Sequence, residues 1–327
     1  MSERKEKMSI KPVSTEGLLN ATNEEIADAY LHHIEIVKKM AQRSVTQYGY
    51  TIGDWIRFVG DAPLNIVHPT HVEEFARRPR RNGLAASAHT IRREIIIVRG
   101  FHTWANEYGY DVPTVTTAVT PKLPQMAPKP IPDDLWLEVW KSDLEDDARL
   151  MLGLGYFCGL RRIEMVTLGP ESVDPQRGWI EFTRKGNKTT PIEYREMVRW
   201  AEKVDAPVAD GAQDWIDLLE RTAAQRLQIE ANLLWWEGNQ DASDDVTRLA
   251  KRFNKWLKRA GVGPNAFTPH QLRHSCATNL LRAGLDLLGV AEQLSHSDTK
   301  VTRNYLQTSG HLRRQYENRY GKVDFDQ

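Results

Sequence analysis

The chemistry of this chain is concentrated in its C-terminal third, in Thr268-Pro269-His270-Gln271-Leu272-Arg273, then Leu294-Ser295-His296, then Tyr305. Two imidazoles, a guanidinium and a phenol, spread over what should be three successive short helices, are the parts needed to attack a phosphodiester without a metal. The set points to DNA strand cleavage.

Local signals say how these residues are positioned. Thr268 with Gln271 three positions later makes a capping box, and Pro269 falls at the favoured first helical position. His270 and Arg273 then stand one turn apart on one face. A helix N-terminus also offers unpaired N–H groups and positive dipole to an anion, so this corner suits a phosphate. Gly284 is expected to stop the helix and Asp286 to cap the next, which ends near Ser295 and His296. Ser297 or Asp298 caps a third helix carrying Val301 and Tyr305.

Upstream, the apolar run from Leu152 to Val166 predicts a buried helix interrupted just before Arg161 and Arg162, with Arg161 and Glu164 sharing a face at i, i+3. Trp179 to Thr183 alternates as a strand, turns through Lys185-Gly186-Asn187-Lys188 and returns as Thr189 to Tyr194. Lys185 therefore belongs at a hairpin tip, from which a long cation reaches into a groove.

With Gly-Leu-Arg-x-x-Glu at 159–164, a Lys on a hairpin, His-x-Leu-Arg at 270–273, Leu-x-His at 294–296 and a Tyr nine residues on, the chain resembles the tyrosine recombinases. These are the lambda-type phage integrases and Xer-type recombinases. The resemblance spans residues 132 to 318 and is weaker over the N-terminal half. It implies that Tyr305 is the nucleophile, forming a 3′-phosphotyrosyl bond and releasing a 5′-hydroxyl. Arg161 and Arg273 would hold the non-bridging oxygens, since a guanidinium fork matches two oxygens of a charge-gaining phosphorane better than an ammonium does. Lys185 would be the general acid for the departing 5′-oxygen. His270 would accept the tyrosine proton or orient the phosphate, His296 would hydrogen-bond the phosphate, and Glu164 would buttress Arg161 and His270. The phosphodiester energy stays in the protein–DNA bond, so no cofactor, ATP or metal is expected. The absence of Gly-x-x-x-x-Gly-Lys-Ser/Thr, His-Glu-x-x-His and paired Cys-x-x-Cys motifs agrees. Ser295 departs from the family's commoner Leu-Gly-His, adding a side chain at a tight helix junction.

A length of 327 residues suggests two domains, 40% apolar content is enough for two cores, and nothing resembles a membrane span. Formal net charge is zero, from 44 basic and 44 acidic side chains, so DNA binding requires the charges to be segregated. Arg77, Arg78, Arg80, Arg81, Arg92, Arg93 and Arg99 face only Glu94 between residues 77 and 99. Arg248, Lys251, Arg252, Lys255, Lys258 and Arg259 make one face of a helix whose other face is Leu249, Phe253, Trp256, Leu257 and Ala260. Both clusters, with Arg162, are candidate DNA-backbone contacts; a solvated charged face is the alternative. The acids at 143–147 and 241–245 are expected on the far side. Cys158 and Cys276 read as buried structural thiols in a reducing cytoplasm.

In the N-terminal half, Thr22 and Glu25 cap a helix to about Met40, and Val45, Tyr48, Ile52, Trp55, Ile56 and Val59 stripe a second. A short helix spans His71 to Arg78, and Ser87 caps a long one through Tyr108. By the resemblance these four helices look like the core-binding, SAM-like domain. The expected architecture is mainly α with a small β-sheet in the catalytic domain: a flexible tail over 1–20, a core-binding domain over 21–112, a Pro-rich extended linker over 113–131, a catalytic domain over 132–318 and a tail over 319–327. The two domains would clamp DNA. The segment Gly310 to Tyr320 either packs on its own domain or, in the reading preferred here, docks on a neighbouring protomer. The implied partners are double-stranded DNA core sites and, on two duplexes joined through a Holliday junction, three further copies of the chain. The free protein would be a monomer, with accessory excision or DNA-bending factors a further option and no membrane association. Phage or mobile-element integration is favoured, chromosome-dimer resolution is the neighbouring reading, and a type IB topoisomerase-like enzyme is the alternative.

Overall fold

A computed structural model describes residues 20–80, 82–123, 128–184, 188–203, 211–235, 238, 242–295 and 299–323. The expected N-terminal tail and residues 324–327 fall outside these, as do Arg81, Lys185 and His296. The chain divides into two units, one to Gln125 and the other from Met126.

In the first unit, α1 (Asn23–His32) opens on the expected box: Glu25 takes the Thr22 N–H at 2.8 Å while the Thr22 hydroxyl accepts from Glu25 N. A π-helical turn, His33–Val37, ends it before Met40. The helices α2 (Gln42–Val59), α3 (Pro69–Arg77) and α4 (Ala88–Glu107) follow. Apolar spacing at 3.6 residues buries Ile52, Trp55, Phe75, Val98 and Phe101 together.

The proline-containing segment after 112 does not run free, because Val112, Val115 and Ala118 belong to this same core. Glu73 accepts the Val119 N–H at 2.7 Å. The fully buried His102 bonds the Pro113 carbonyl through Nδ1 at 3.0 Å and Trp55 Nε1 through Nε2 at 3.2 Å. Prolines signal an extended backbone, but the small apolar residues between them are what anchor it, so the first unit extends past the expected boundary.

The second unit contains α5 (Asp133–Lys141), α6 (Asp146–Tyr156), α7 (Arg162–Val166), the strands β1 (Val173–Asp174), β2 (Trp179–Arg184) and β3 (Lys188–Glu193), then α8 (Tyr194–Lys203), α9 (Ala212–Gln228), α10 (Ala242–Arg259), α11 (Pro269–Ala283), α12 (Leu287–Gln293), α13 (Thr299–Thr308) and α14 (Gly310–Tyr320). The sheet is antiparallel in the order β1-β2-β3, with Ile180 opposite Ile192 and both on the core. The hairpin forms as its alternation predicted, and its tip, with Lys185, lies outside the described residues.

Helices α6 and α11 are the centre of this unit. Gly153 is a glycine because a Cβ there would overlap the Trp215 indole. Tyr156 stacks flat on Trp136 at 4.0 Å between centroids and accepts a hydrogen bond from Asn279 of α11. The Ser275 hydroxyl accepts the Ile131 N–H at 2.9 Å, fastening the start of the unit to α11.

The acidic stretch 143–147 is not on a far side. Glu145 accepts from Trp256 Nε1 and Asp147 from Trp235 Nε1, both at 2.7 Å, while Asp143 and Glu145 pair with Arg259 and Glu145 with Arg252. Carboxylates at the start of α6 complement its dipole and satisfy buried indoles at the same time. Asp244 likewise pairs with Arg248 on its own helix.

α14 packs on its own unit: Leu312 is buried, Tyr316 Oη accepts the Leu287 N–H at 3.3 Å, Arg319 donates to Ala283 O, and Tyr320 Oη donates to Gly284 O at 2.5 Å. The carbonyls left open where α11 ends are the acceptors that hold it.

Candidate active site

The site is built on three helix termini. Gly159, at φ +65°, breaks the chain between α6 and α7 and leaves Arg161 at the N-cap of α7. Glu164, in the first turn of α7, takes the Arg161 backbone N–H on one oxygen and the Arg161 guanidinium on the other, each at 2.7 Å. Its carboxylate also stands 4.0 Å from Arg273. Glu164 is 6% exposed, so it is an interior counter-charge shared by two arginines. Its role as a buttress was expected with Arg161 and His270; the second side chain beside it is Arg273.

Arg273 is brought in by the first turn of α11, where Gln271 Oε1 accepts the Thr268 N–H at 3.0 Å and Pro269 holds the first position. Only 3% of its side chain is exposed. It donates to Gly159 O at 2.5 Å and to Leu294 O, so the loop before α7 and the end of α12 together fix the guanidinium plane. Gly284 in the left-handed conformation ends α11, and Asp286 caps α12 through the Gly289 N–H at 2.6 Å, as their types predicted. Ser295 has φ +44°, in the region that favours glycine, immediately after the carbonyl that receives Arg273.

His270 keeps one side open to solvent, yet the atoms around it, and then Arg273, Arg161 and Arg162, push its imidazole below the ordinary range. Arg161 is about 39% exposed and Arg162 is exposed, so the cationic face opens outward from a buried base.

Tyr305, on α13, is 4% exposed, and burial raises its phenol above the usual range, opposed by Arg273. Its hydroxyl lies 2.6 Å from Nδ1 of His274. His274 was missed by the sequence reading. It follows Arg273 and lies one turn beyond His270, and the i, i+4 spacing that pairs helix neighbours was the signal that pointed to it; the two rings meet edge to face at 4.6 Å. The structure thus brings together Arg161, Glu164, His270, Arg273 and Tyr305, while Lys185 and His296 lie outside the described residues.

The candidate DNA contacts sort into two groups. Glu94, 6% exposed, receives both Arg78 and Arg80 at 2.8–3.0 Å, and Arg78 also reaches Asp54. These two arginines are turned inward and are not surface cations, because the single acid of that stretch sits buried between them. Arg77 pairs with Glu73 at 3.5 Å. Arg92, Arg93 and Arg99 instead surround the half-exposed Ile96 on α4. Arg92 and Arg93, with Arg43, Gln47 and His89, line an open groove of about 580 Å³. Arg43, in the first turn of α2, was a second omission. On α10 the apolar face is buried as expected, Arg248, Arg252 and Arg259 have acidic neighbours, and Lys251, Lys255 and Lys258 are exposed. Cys158 and Cys276 are buried, with burial pushing the Cys276 thiol up to about 12, which fits inert interior groups. Among the described residues no helix is long and apolar enough to cross a membrane.

Comparison with known proteins adds to this geometry. Residues 138–311 match the family model described as the phage integrase family, and residues 27–109 match that of the phage integrase N-terminal SAM-like domain. Tyrosine recombinase XerC of Escherichia coli is 28% identical over 289 residues, covering 85% of this chain and 90% of that protein. Among solved structures, XerH site-specific recombinase in a post-cleavage complex on palindromic difH substrate aligns with TM-score 0.61 at 16% identity, covering 90% of this chain and 84% of its own. A lambda integrase tetramer bound to a Holliday junction aligns with TM-score 0.61 at 14% identity, covering 89% and 83%.

Proposed function

The chain belongs to the phage integrase family, the tyrosine-type site-specific DNA recombinases, and from that premise we propose how its residues carry the reaction. The observation that supports the reading most is the buried Glu164 carboxylate shared by Arg161 and Arg273, with Tyr305 close enough to Arg273 for that cation to act on its phenol. Two cations on one counter-charge make a preorganised anion site, and preorganised donors stabilise charge that appears only in the transition state.

Arg161 and Arg273 hold the non-bridging oxygens of the scissile phosphate. The Tyr305 oxygen attacks phosphorus, a Tyr–O–P bond forms at the 3′ side, and the bond to the 5′-oxygen breaks. The phenol proton passes to His270, and Lys185 supplies a proton to the leaving 5′-oxygen. His296 adds a hydrogen bond to the phosphate. Attack by a 5′-hydroxyl from a second duplex reverses the step, so strand exchange through a Holliday junction in a tetramer needs no cofactor. In the first unit, α4 sets Arg92, Arg93 and Arg99 for phosphates around Ile96, an apolar group suited to a thymine methyl. Lys251, Lys255 and Lys258 of α10 make a second backbone contact. The protein acts on DNA in the cytoplasm, with phage or mobile-element integration and excision favoured over chromosome-dimer resolution.

The site can be recovered by incubating the protein with nicked duplexes of randomised core sequence and isolating detergent-stable adducts. Two copies of the recovered sequence on one plasmid then test the reading: exchange between them, with branched intermediates, is expected. Relaxation of a supercoiled single-site plasmid without any exchange would replace recombination with topoisomerase activity.

A further inference from the structure

The arginines of the first unit fall into two sets. Arg57, Arg77, Arg78 and Arg80 each reach a carboxylate, of Asp54, Glu73 or Glu94. Among the described residues Arg92 and Arg99 pair with no carboxylate, and no acidic side chain lines the groove they share. Arg92, Ile96, Arg99 and Thr103 fall at i, i+4, i+7 and i+11 on α4, so they form one straight row. The chain after Pro113 runs back beside that row. Pro113 is fastened to His102 near the end of α4, Glu73 of α3 holds the Val119 N–H, and Arg92 near the start of α4 donates to Thr120 Oγ1 and Pro121 O, each at 3.4 Å. Val112, Val115 and Ala118 of this segment go to the core, which leaves Thr116 exposed and Thr120 half-buried on the outer side. Between helix and segment lies an open groove of about 380 Å³, with Arg92, Arg99 and Thr103 on one wall and Thr116 and Thr120 on the other. The Thr103 and Thr116 hydroxyls have no protein partner among the described residues. Two guanidiniums and three hydroxyls, all able to donate and none negative, suit an anion with several acceptor oxygens.

We propose that the segment after Pro113 is part of the DNA-binding surface, where Thr116 and Thr120, with Thr103, donate to a backbone phosphate of one strand whose charge Arg92 and Arg99 meet. The inference rests on the reading that α4 faces DNA, and it adds a second wall to that contact. Hydroxyl contacts to phosphate fix the register of a protein on a duplex without reading bases. Ile96 stands between the two arginines of the row, so a strand fixed in this groove also fixes which base pair Ile96 meets. The wall is preorganised: His102 and Glu73 already hold the segment against α4 and α3, so its hydroxyls lose little freedom when DNA arrives.

The test uses the full chain and a duplex recovered by the adduct selection. Binding is measured over a range of salt for wild type, for T116V and T120V singly and together, which lose the hydroxyl but keep the shape, for T116S and T120S, which keep it, and for R99A. A hydrogen bond to a charged group is worth roughly a factor of ten or more. The double valine variant is therefore expected to bind about ten- to a hundredfold more weakly, by the same factor on unrelated duplexes and with an unchanged salt slope, because no charge is lost. The serine variants should recover toward wild type. R99A should weaken binding and lower the salt slope by about one. Ethylation interference locates the contact: ethylating one phosphate should block the wild type, and the valine variants should lose that sensitivity, which a merely structural role of the threonines would not change. The single valine variants carry the same test if the double variant does not fold. The second wall is refuted if the valine variants bind within about twofold of wild type, or if their ethylation pattern is that of wild type. Wild-type affinity and salt slope in R99A would instead remove the reading of α4 as a DNA surface, a different outcome from weak binding by R99A with wild-type binding by the valine variants.

Discussion

Gly159→Ala should damage the site without touching any charged residue. Gly159 has φ +65°, and a residue with a Cβ costs roughly 1–2 kcal/mol in the left-handed region. The new methyl would overlap the Leu294 side chain and approach Cys276 Sγ to 3.2 Å, and forcing an extra carbon into a packed core costs about 1–3 kcal/mol. Together these predict a loss of about 2–5 kcal/mol. The functional effect should be larger than stability alone explains, because the Gly159 carbonyl and the carbonyl of Leu294 are the two acceptors that orient Arg273. Urea unfolding monitored by tryptophan fluorescence gives the stability change, read from the midpoint at unchanged slope. Single-turnover cleavage below that midpoint gives the second quantity. A variant within about 0.5 kcal/mol of wild type and with wild-type cleavage would refute the account of the Gly159 turn.

The remaining expectations concern three other positions. Ser295→Gly relieves a positive φ at some cost in chain entropy, so a net gain of about 0.5–1 kcal/mol is expected in the same unfolding assay, and a loss would contradict the strain. Glu164→Gln keeps the shape but removes the charge between Arg161 and Arg273; cleavage should fall at least about tenfold and stability by about 1–3 kcal/mol, while unchanged cleavage would show that Glu164 does not organise the arginines. His102 is lowered by burial to about 4, against about 6.5 in the unfolded chain. The unfolded state therefore takes the proton first as pH falls, and the stability contributed by neutral His102 is complete above about 6.5 and lost toward 4, up to about 3 kcal/mol. An NMR titration of His102 with a midpoint near 6.5 would contradict this.

Much of the catalytic unit was legible because its signals are local. The Thr268–Gln271 box, Pro269, Gly284 and Asp286 each act within a turn of the residue they control, and the helices start and stop where they dictate. What the sequence hid depends on partners far along the chain. Arg78 and Arg80 look like surface cations until the fold buries Glu94 between them. The acids at 143–147 look solvated until Trp235 and Trp256, about ninety and a hundred and ten residues on, bring their indole N–H groups to them. His274 was overlooked for the same reason: its helical neighbour His270 was visible, but its contact with Tyr305 is created by α13 folding back on α11. The segment after Pro113 shows that proline content reports backbone shape and leaves anchoring to the small apolar residues between.

The most direct test of the central claim is to trap the protein on a nicked duplex, digest the detergent-stable adduct and identify by mass spectrometry the amino acid carrying the nucleotide. The account predicts a 3′-phosphate ester on Tyr305, absent from Tyr305→Phe. A nucleotide on any other side chain, or an adduct formed equally by Tyr305→Phe, would contradict it.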